Sequence, residues 1–464
     1  MAGIGFRLRK IMKAGTFSAV TRAYLYAALI SSGPLVMAII CLSALAAILS
    51  LLGGLEKFKV IYATTTYIYA FSLIITSPFQ LILSRFFADC DFEKNRRKSL
   101  RFFTTSLACV GCAALFLASW FFFSLPEGIS LIYRMSAIFF FVTLCWVWLM
   151  TALVTALKHY NQVLFAFASG YLTTLLLSFL FVTLYGKDWS LAGFAIGHAV
   201  LFLLLLRIFF CEVDSRGDSS SQGEKYSYRK IFWKYIDLGL SGLFYSIGIW
   251  SDKIVFWFLS PDRELVGQTF WVMPLYDQAV FYGFLSIIPG MAIFLLRTET
   301  EFAQHYEEYF RSLIGRKTLT EIIKIKSRLI DSMNREIFVL VKIQGVFSLI
   351  LCLLAPSLTT VLGLGALQTG IFQVVILGSL LLMLLLVFLT VLFYLDKRRD
   401  AMVCCLILFL VNSSVSWGTL YMGEAWYGLG FVLATFSAAT YAAIKVNVHL
   451  QNMEYDTFVK QPLV

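Results

Sequence analysis

Long apolar runs recur about twelve times along this chain of 464 residues, near positions 23–53, 58–84, 102–124, 132–157, 163–185, 191–211, 236–259, 267–296, 337–363, 370–395, 401–422 and 427–448. Each is close to or above the roughly 20 residues that a helix needs to cross the hydrocarbon core of a bilayer. Without water there, a spanning segment has to satisfy its own backbone and so becomes a helix. The runs are continuous rather than alternating, which excludes a barrel. Hydrophobic residues make up 59% of the chain and charged residues 14%, against roughly 45–50% and 25% in an ordinary soluble domain. The expected fold class is therefore all-α and integral to a membrane, with about twelve transmembrane helices. The first run continues to about Leu52 without an A-x-A cleavage site, so it reads as a retained helix and not as a removed signal peptide.

A net charge of +11 suggests nucleic acid only if it is clustered, and here it is dealt out to alternate loops. Of 38 Lys and Arg, 32 fall in the termini and the loops on their side, five in the opposite loops, and Lys253 inside a span. That is the positive-inside asymmetry, with both termini cytoplasmic. It leaves membrane lipid, and no nucleic acid, as the partner of the basic residues. The nine cysteines lie almost entirely in spans, as small apolar packing residues. Cys109 and Cys112 form a single CxxC with no second pair, so no metal or other cofactor is expected. There is no P-loop, GxGxxG or HExxH, and Asp89-Cys90-Asp91, a DxD, sits in a loop too short to hold a nucleotide domain. The chain does not read as an enzyme.

Two six-span halves flank a Gly/Ser-rich stretch, SRGDSSSQGE, in the loop 212–235. Span one repeats in span seven as Tyr26/Tyr235, Leu29/Leu238, Ser32/Ser241 and Gly33/Gly242, and Pro78 with Arg85 is echoed by Pro289 with Arg297. Such spacing indicates a duplication with both halves in the same orientation. The expected organisation is a six-helix bundle over 1–211 with an amphipathic N-terminal segment (Phe6, Arg9, Lys10, Lys13), a linker over 212–235, and a second bundle over 236–464. Within the second bundle, 298–336 reads as two amphipathic cytoplasmic helices. They either float on anionic lipid or form a docking surface through Tyr306, Tyr309 and Phe310.

Ionisable groups inside spans cost roughly 2.5–3.5 kcal/mol each even on lenient scales. Asp252, Lys253 and Asp277 reach similar depth on spans seven and eight, either as an ion pair locking two helices or as part of a hydrated transport cavity. Trp250 and Tyr276 are further cavity candidates, whereas Trp257 and Trp271 suit an interfacial aromatic belt. Helix breaks are expected at Gly33, Pro34, Pro78, Pro274, Pro289 and Gly290. Arg85 and Arg297 end their helices at equivalent cytoplasmic positions. They are snorkelling anchors or parts of a gate in which Arg297 pairs with Glu299 or Glu301.

The opening MAGIGFRLRK, RAYLYAALISSGPL in span one, GIWSDKIVFWF in span seven and MPLYDQAVFYGFLSIIPGMAIFLLRTETEF in span eight resemble the PelG family along the whole chain. That family is the polytopic inner-membrane component of Pel exopolysaccharide secretion, placed in the multidrug/oligosaccharidyl-lipid/polysaccharide flippase superfamily. The resemblance implies a MATE-like fold of two six-helix bundles and transport of an N-acetylgalactosamine-rich polysaccharide chain across the bacterial inner membrane for the biofilm matrix. It also implies partners: other Pel inner-membrane proteins, including a cyclic-di-GMP receptor, and a cytoplasmic glycosyltransferase. An ion-coupled flippase of lipid-linked sugars or small molecules, and a non-transporting glycosyltransferase scaffold, are the alternatives.

The charge asymmetry makes the topology testable by reporter fusion. A periplasm-active phosphatase is expected to be active after Asp262 or Gln368 and silent after Gly223 or Gly315; the reverse pattern refutes cytoplasmic termini.

Overall fold

The computed structural model of the protein describes residues 17–51, 55–93, 96–126, 128–157, 160–215, 227–297, 301–315 and 317–459. The amphipathic N-terminal segment, most of the Gly/Ser-rich stretch and Glu299 lie outside the described residues. In chain order the helices are α1 (Phe17–Leu51), α2 (Leu55–Phe92), α3 (Arg96–Phe123), α4 (Leu131–Ala156), α5 (Tyr160–Tyr185), α6 (Ser190–Ser215), the short α7 (Tyr228–Lys234) and α8 (Ile236–Leu259). A two-stranded hairpin, β1 (Glu264–Val266) and β2 (Phe270–Val272), precedes α9 (Pro274–Phe284) and α10 (Ile288–Arg297). Then come α11 (Ala303–Ile314), α12 (Leu319–Val361), α13 (Ala366–Tyr394), α14 (Arg398–Met422), α15 (Leu429–Gln451) and α16 (Met453–Phe458).

Among the described residues, 11 helical segments are long and apolar enough to cross a membrane, with α9 and α10 counting as one. The twelfth expected span, α8, has 24 residues and is set apart by carrying Asp237, Asp252 and Lys253. Packing divides the chain into two compact units, 33–250 with 261–272, and 1–32 with 251–260 and 273–464. Both α1 and α8 therefore contribute residues to each unit, whereas the sequence alone places the division in the loop 212–235.

In the first unit α4 is central, and α5 packs on α6 along a small-residue seam. A Cβ on Gly193 would lie 2.3 Å from the Ser178 backbone nitrogen, and one on Gly197 would lie 2.0 Å from Thr174 Oγ1. This Gly-x-x-x-Gly lets two backbones approach where lipid supplies no hydrophobic drive for association. In the second unit Gly430 has the same role, its Cβ position lying 2.0 Å from Ser416 Oγ on α14.

Span eight differs from its sequence assignment. Residues 264–272 form the hairpin, whose turn takes left-handed φ at Gly267 (60°) and Gln268 (57°), and the helix starts only at Pro274. Pro274 is thus a helix-starting residue, where its missing N–H costs nothing, and not a mid-span break. A real break lies at Leu285–Ile287, a 3₁₀ turn between α9 and α10. Pro289 causes it, because it has no N–H to offer the Leu285 carbonyl four residues back and its ring crowds that group. Pro34 and Pro78 lie inside continuous α1 and α2. Gly33 and Gly290 are close-packing positions: added Cβ atoms would meet Leu164 Cδ1 at 2.8 Å and Gln344 Oε1 at 2.9 Å.

The second expected amphipathic helix is not separate from span nine. It is the start of α12, a single helix of 43 residues, or about 65 Å at 1.5 Å per residue, roughly twice the hydrocarbon thickness. A capping box starts it, with Thr318 N–H donating to Glu321 Oε2 at 3.0 Å and Glu321 N–H to Thr318 Oγ1 at 3.4 Å. Its projecting part is tied to the C-terminal α16, where Lys326 Nζ lies 2.5 Å from Glu454 Oε2 and also donates to the Gln451 carbonyl.

The glycine seam makes a graded prediction. Gly197→Val is expected to lower unfolding stability by at least about 1–3 kcal/mol, while Gly345→Ala, with nothing within 4 Å of its Cβ position, leaves it within about 0.5 kcal/mol. Melting of the two detergent-purified variants decides this; equal midpoints would mean that the seam carries no packing constraint.

Candidate functional site

Two of the three charges of α8, Asp252 and Lys253, fall in its last ten residues, which meet Tyr276 of α9 and Tyr427 just before α15. The Asp252 side chain is 1% exposed, and its carboxylate accepts a 2.6 Å hydrogen bond from Tyr276 Oη on α9. Its other oxygen lies 3.9 Å from Lys253 Nζ and is buried without a hydrogen-bond partner. Around the Tyr276 ring stand Phe256, 4.3 Å between centroids, and Tyr427, whose ring is 4.7 Å from that of Phe256. All three rings are buried. A carboxylate stripped of water is thus held by one short charge-assisted bond and by an ammonium at the edge of ion-pair range. Adjacent residues of a helix point to different sides, which is why Asp252 and Lys253 do not meet more closely.

Asp277 belongs to a different constellation. Trp257 Nε1 donates to both its oxygens, at 3.0 and 2.9 Å, and the backbone N–H of Met273 donates to Oδ2 at 3.0 Å. Met273 precedes α9, so Asp277 caps its own helix and sits at the favourable end of the helix dipole. Trp257 is 1% exposed and anchors this cap, which removes it from the interfacial belt. Tyr276 and Asp252 form a closed polar core, with no open wall in this conformation. Trp250 is half-buried and packs with the first unit.

Arg85 and Arg297 share a local design. Arg85 Nε lies 3.3 Å from Asp89 Oδ1 one turn later, and Tyr235 Oη donates to Asp89 Oδ2 at 2.5 Å. Arg297 Nη1 lies 3.2 Å from Glu301 Oε1, again one turn later, and 3.3 Å from Glu336 Oε1 on α12. Glu336 carried no signal in the sequence, because it sits where an amphipathic surface helix was expected.

Tyr306, Tyr309 and Phe310 are not laid out as a docking surface. Tyr309 is fully buried, Tyr306 Oη donates to the Tyr394 carbonyl at the end of α13, at 2.5 Å, and the Phe310 ring lies tilted by 48° against that of Tyr306 with centroids 4.7 Å apart. These rings fasten α11 to its own unit, and the exposed face of α11 is the Arg311–Glu307 pair.

The first unit holds a polar network that the sequence did not reveal. His198 Nδ1 faces the Phe194 carbonyl at 2.9 Å, which can only accept, so that nitrogen carries the proton and Nε2 accepts from Tyr69 Oη at 3.1 Å. Tyr171 Oη completes the chain 2.8 Å from Tyr69 Oη. Trp148 donates to Ser72 Oγ at 3.0 Å and Trp146 to the Leu107 carbonyl at 3.1 Å. The one available signal was a lone histidine in an apolar run, which is more often a satisfied core group than a site.

The PelG family model, described as "Putative exopolysaccharide Exporter (EPS-E)", matches residues 1–458. No curated protein matches the chain. Among solved structures, a MATE protein in the bent conformation is similar over 94% of this chain and 96% of its own, with a TM-score of 0.66 at 12% identity. The Vibrio cholerae MATE transporter VcmN in its bent form gives 0.60 at 14% identity over 94% and 98%. A MOP superfamily transporter from Pyrococcus furiosus gives 0.57 at 13% over 92% and 96%. At these identities the likeness shows the fold alone, that of MATE transporters.

The site geometry ranks two couplings. A double-mutant cycle of Asp252→Asn and Tyr276→Phe is expected to give about 1.5–3 kcal/mol, the range for a hydrogen bond to a charged group. Asp252→Asn with Lys253→Met is expected to give a smaller coupling, since Nζ stands 3.9 Å away, beyond hydrogen-bond distance. Thermal unfolding of the single and double variants measures both, and the opposite order would make the ion pair the true partner of Asp252.

Proposed function

This chain belongs to the PelG family of exopolysaccharide exporters, and we propose that it moves a nascent N-acetylgalactosamine-rich polymer across the bacterial inner membrane for the biofilm matrix. The observation that carries the reading is the family match over residues 1–458, to which the MATE-like transporter fold adds an architecture built for crossing a bilayer. The 32-to-5 distribution of Lys and Arg supports cytoplasmic termini and so a cytoplasmic face for α11 and the projecting part of α12. The polymer would be received there from a cytoplasmic glycosyltransferase, alongside other Pel inner-membrane proteins including a cyclic-di-GMP receptor.

The buried residues have defined parts in this proposal. Arg85–Asp89 and Arg297–Glu301–Glu336 are the cytoplasmic gate pairs. Asp252, Lys253 and Tyr276 form a polar core that becomes a cavity wall only when α8 and α9 separate, with Trp250 and Asp277 beside it in sequence. Aromatic rings suit sugar faces, and the few charges would hold the glycan's hydroxyl groups. The 3₁₀ turn at Leu285–Ile287 is the place where span eight can bend.

Deleting this chain while leaving the glycosyltransferase intact separates the readings. Transport predicts polymer that is made but retained inside the cell, with export restored by the wild-type chain. A scaffold predicts that no polymer is made, and a flippase of lipid-linked sugars predicts that lipid-linked intermediates accumulate on the inner leaflet.

A further inference from the structure

A shallow, open-mouthed crevice lies in the second unit where α10, α12 and α13 meet the start of α11. Its walls are apolar, chiefly Phe294, Phe302, Met333, Ile337 and Val387, and its polar end is made by Arg297 and Glu336. The rim holds one cation between two carboxyl groups, Glu301 and Glu336, with Arg297 bridging them at 3.2 and 3.3 Å. Glu336 spends only one oxygen on that contact. Its side chain is 12% exposed, and Oε2 is buried without a hydrogen-bond partner. Beside the lining residues, Phe338 and Val341 of α12 are 69% and 37% exposed and carry the apolar surface outward from the mouth.

We propose that this crevice binds a phospholipid bearing a primary ammonium headgroup, of the phosphatidylethanolamine type, with the ammonium on Glu336 and an acyl chain along the apolar wall. The charge balance selects the headgroup. A carboxyl oxygen with no hydrogen-bond partner gains a charge-assisted bond from an N–H⁺ donor. A glycerol headgroup adds a second net negative charge to the rim, and a choline has three methyls and no donor. The apolar walls select the tail, since a free amine would leave them facing water. The position suits a lipid, because Arg297 ends the apolar run of α10 and marks a membrane boundary.

The test is native mass spectrometry of the full-length, delipidated chain offered dioleoyl-phosphatidylethanolamine, -phosphatidylcholine or -phosphatidylglycerol. The ethanolamine lipid is expected to be bound about tenfold more tightly than either other lipid, the factor that a charged hydrogen bond supplies. Glu336→Gln should bring it down to the choline level. Leu340→Trp, which fills the apolar end, should weaken binding of the ethanolamine lipid without changing the headgroup ranking. Chain-free glycerophosphoethanolamine should not displace the bound lipid. Equal occupancy by the ethanolamine and choline lipids in the wild-type chain overturns the proposal without recourse to any variant, as does a preference for the glycerol lipid. Displacement by the chain-free headgroup overturns it too, since the crevice would then bind an amine and not a lipid.

Discussion

In hydrocarbon a backbone amide can bond only to another part of the chain, and each side chain that is not apolar has to bring its partner with it. Helices settle the first demand at once, and after that the structure is governed by how closely they can approach. Lipid is as apolar as leucine, so burial of apolar surface does not pull spans together as it does in water. What remains is contact, and it is densest where a glycine faces a small polar residue. Gly193 and Gly197 against Ser178 and Thr174, and Gly430 against Ser416, are the tightest approaches in their units. The hydroxyls at these seams bond within their own unit: Thr174 Oγ1 to the Gly170 carbonyl at 2.9 Å, Ser178 Oγ to the Ser190 carbonyl at 3.0 Å. The same residues therefore admit the neighbouring backbone and satisfy themselves.

The second demand explains how the charges are arranged. The buried carboxylates of the second unit are met in different ways. Asp277 takes two neutral donors through three contacts, Asp252 takes a phenol, and Glu336 takes a guanidinium shared with Glu301. Neutral donors are less costly to bury than a second charge, so the network closes over Asp277 but leaves one oxygen of Asp252 and one of Glu336 unspent. At those two oxygens a proton, a ligand or a change of conformation alters the energy, since an unmet buried acceptor costs about 1–3 kcal/mol. One is sealed among aromatic rings and the other opens on a crevice.

Much of this was legible in the sequence, for a physical reason. Spans announce themselves because twenty consecutive apolar residues have few other uses, and α8 is the instructive case. Its apolar run is diluted by Asp237, Asp252 and Lys253, yet its length of 24 residues still suits a span. Partners were harder to read. Asp252, Lys253 and Asp277 share a depth, which suggested one cluster, but depth says nothing about azimuth, and Trp257 and Tyr276 turn out to divide the carboxylates between them. Tyr306, Tyr309 and Phe310 show the same limit: an amphipathic stripe fixes which side of α11 is apolar, not whether lipid, a partner or the chain's own α13 covers it. Span eight was misread at its start because Phe270, Trp271 and Val272 are as apolar as a helix face, and only the pair of left-handed residues at Gly267 and Gln268 distinguishes a hairpin. His198 gave no usable signal, as its partners Tyr69 and Tyr171 lie 129 and 27 positions away in the sequence.

The duplication gains a physical content that matching letters alone did not have. Arg85 and Arg297 stand at an offset of 212, and so do the acids they pair with, Asp89 and Glu301. What the two positions share is an interaction, a cation one turn before an anion near the end of an apolar run. Around that shared element the halves have diverged in opposite chemical directions. Asp89 is shielded by a phenol, that of Tyr235, and the polar interior of its unit is built from neutral groups, His198, Tyr69 and Tyr171. Glu301 instead shares its arginine with a second carboxylate, and its unit buries Asp252 and Asp277. Opening a neutral network to water gains little, because each group merely exchanges one dipolar partner for another. Exposing a buried carboxylate restores most of its hydration, so the energy of any opening transition in this protein should be concentrated in the half that carries α8 Asp252 and Glu336.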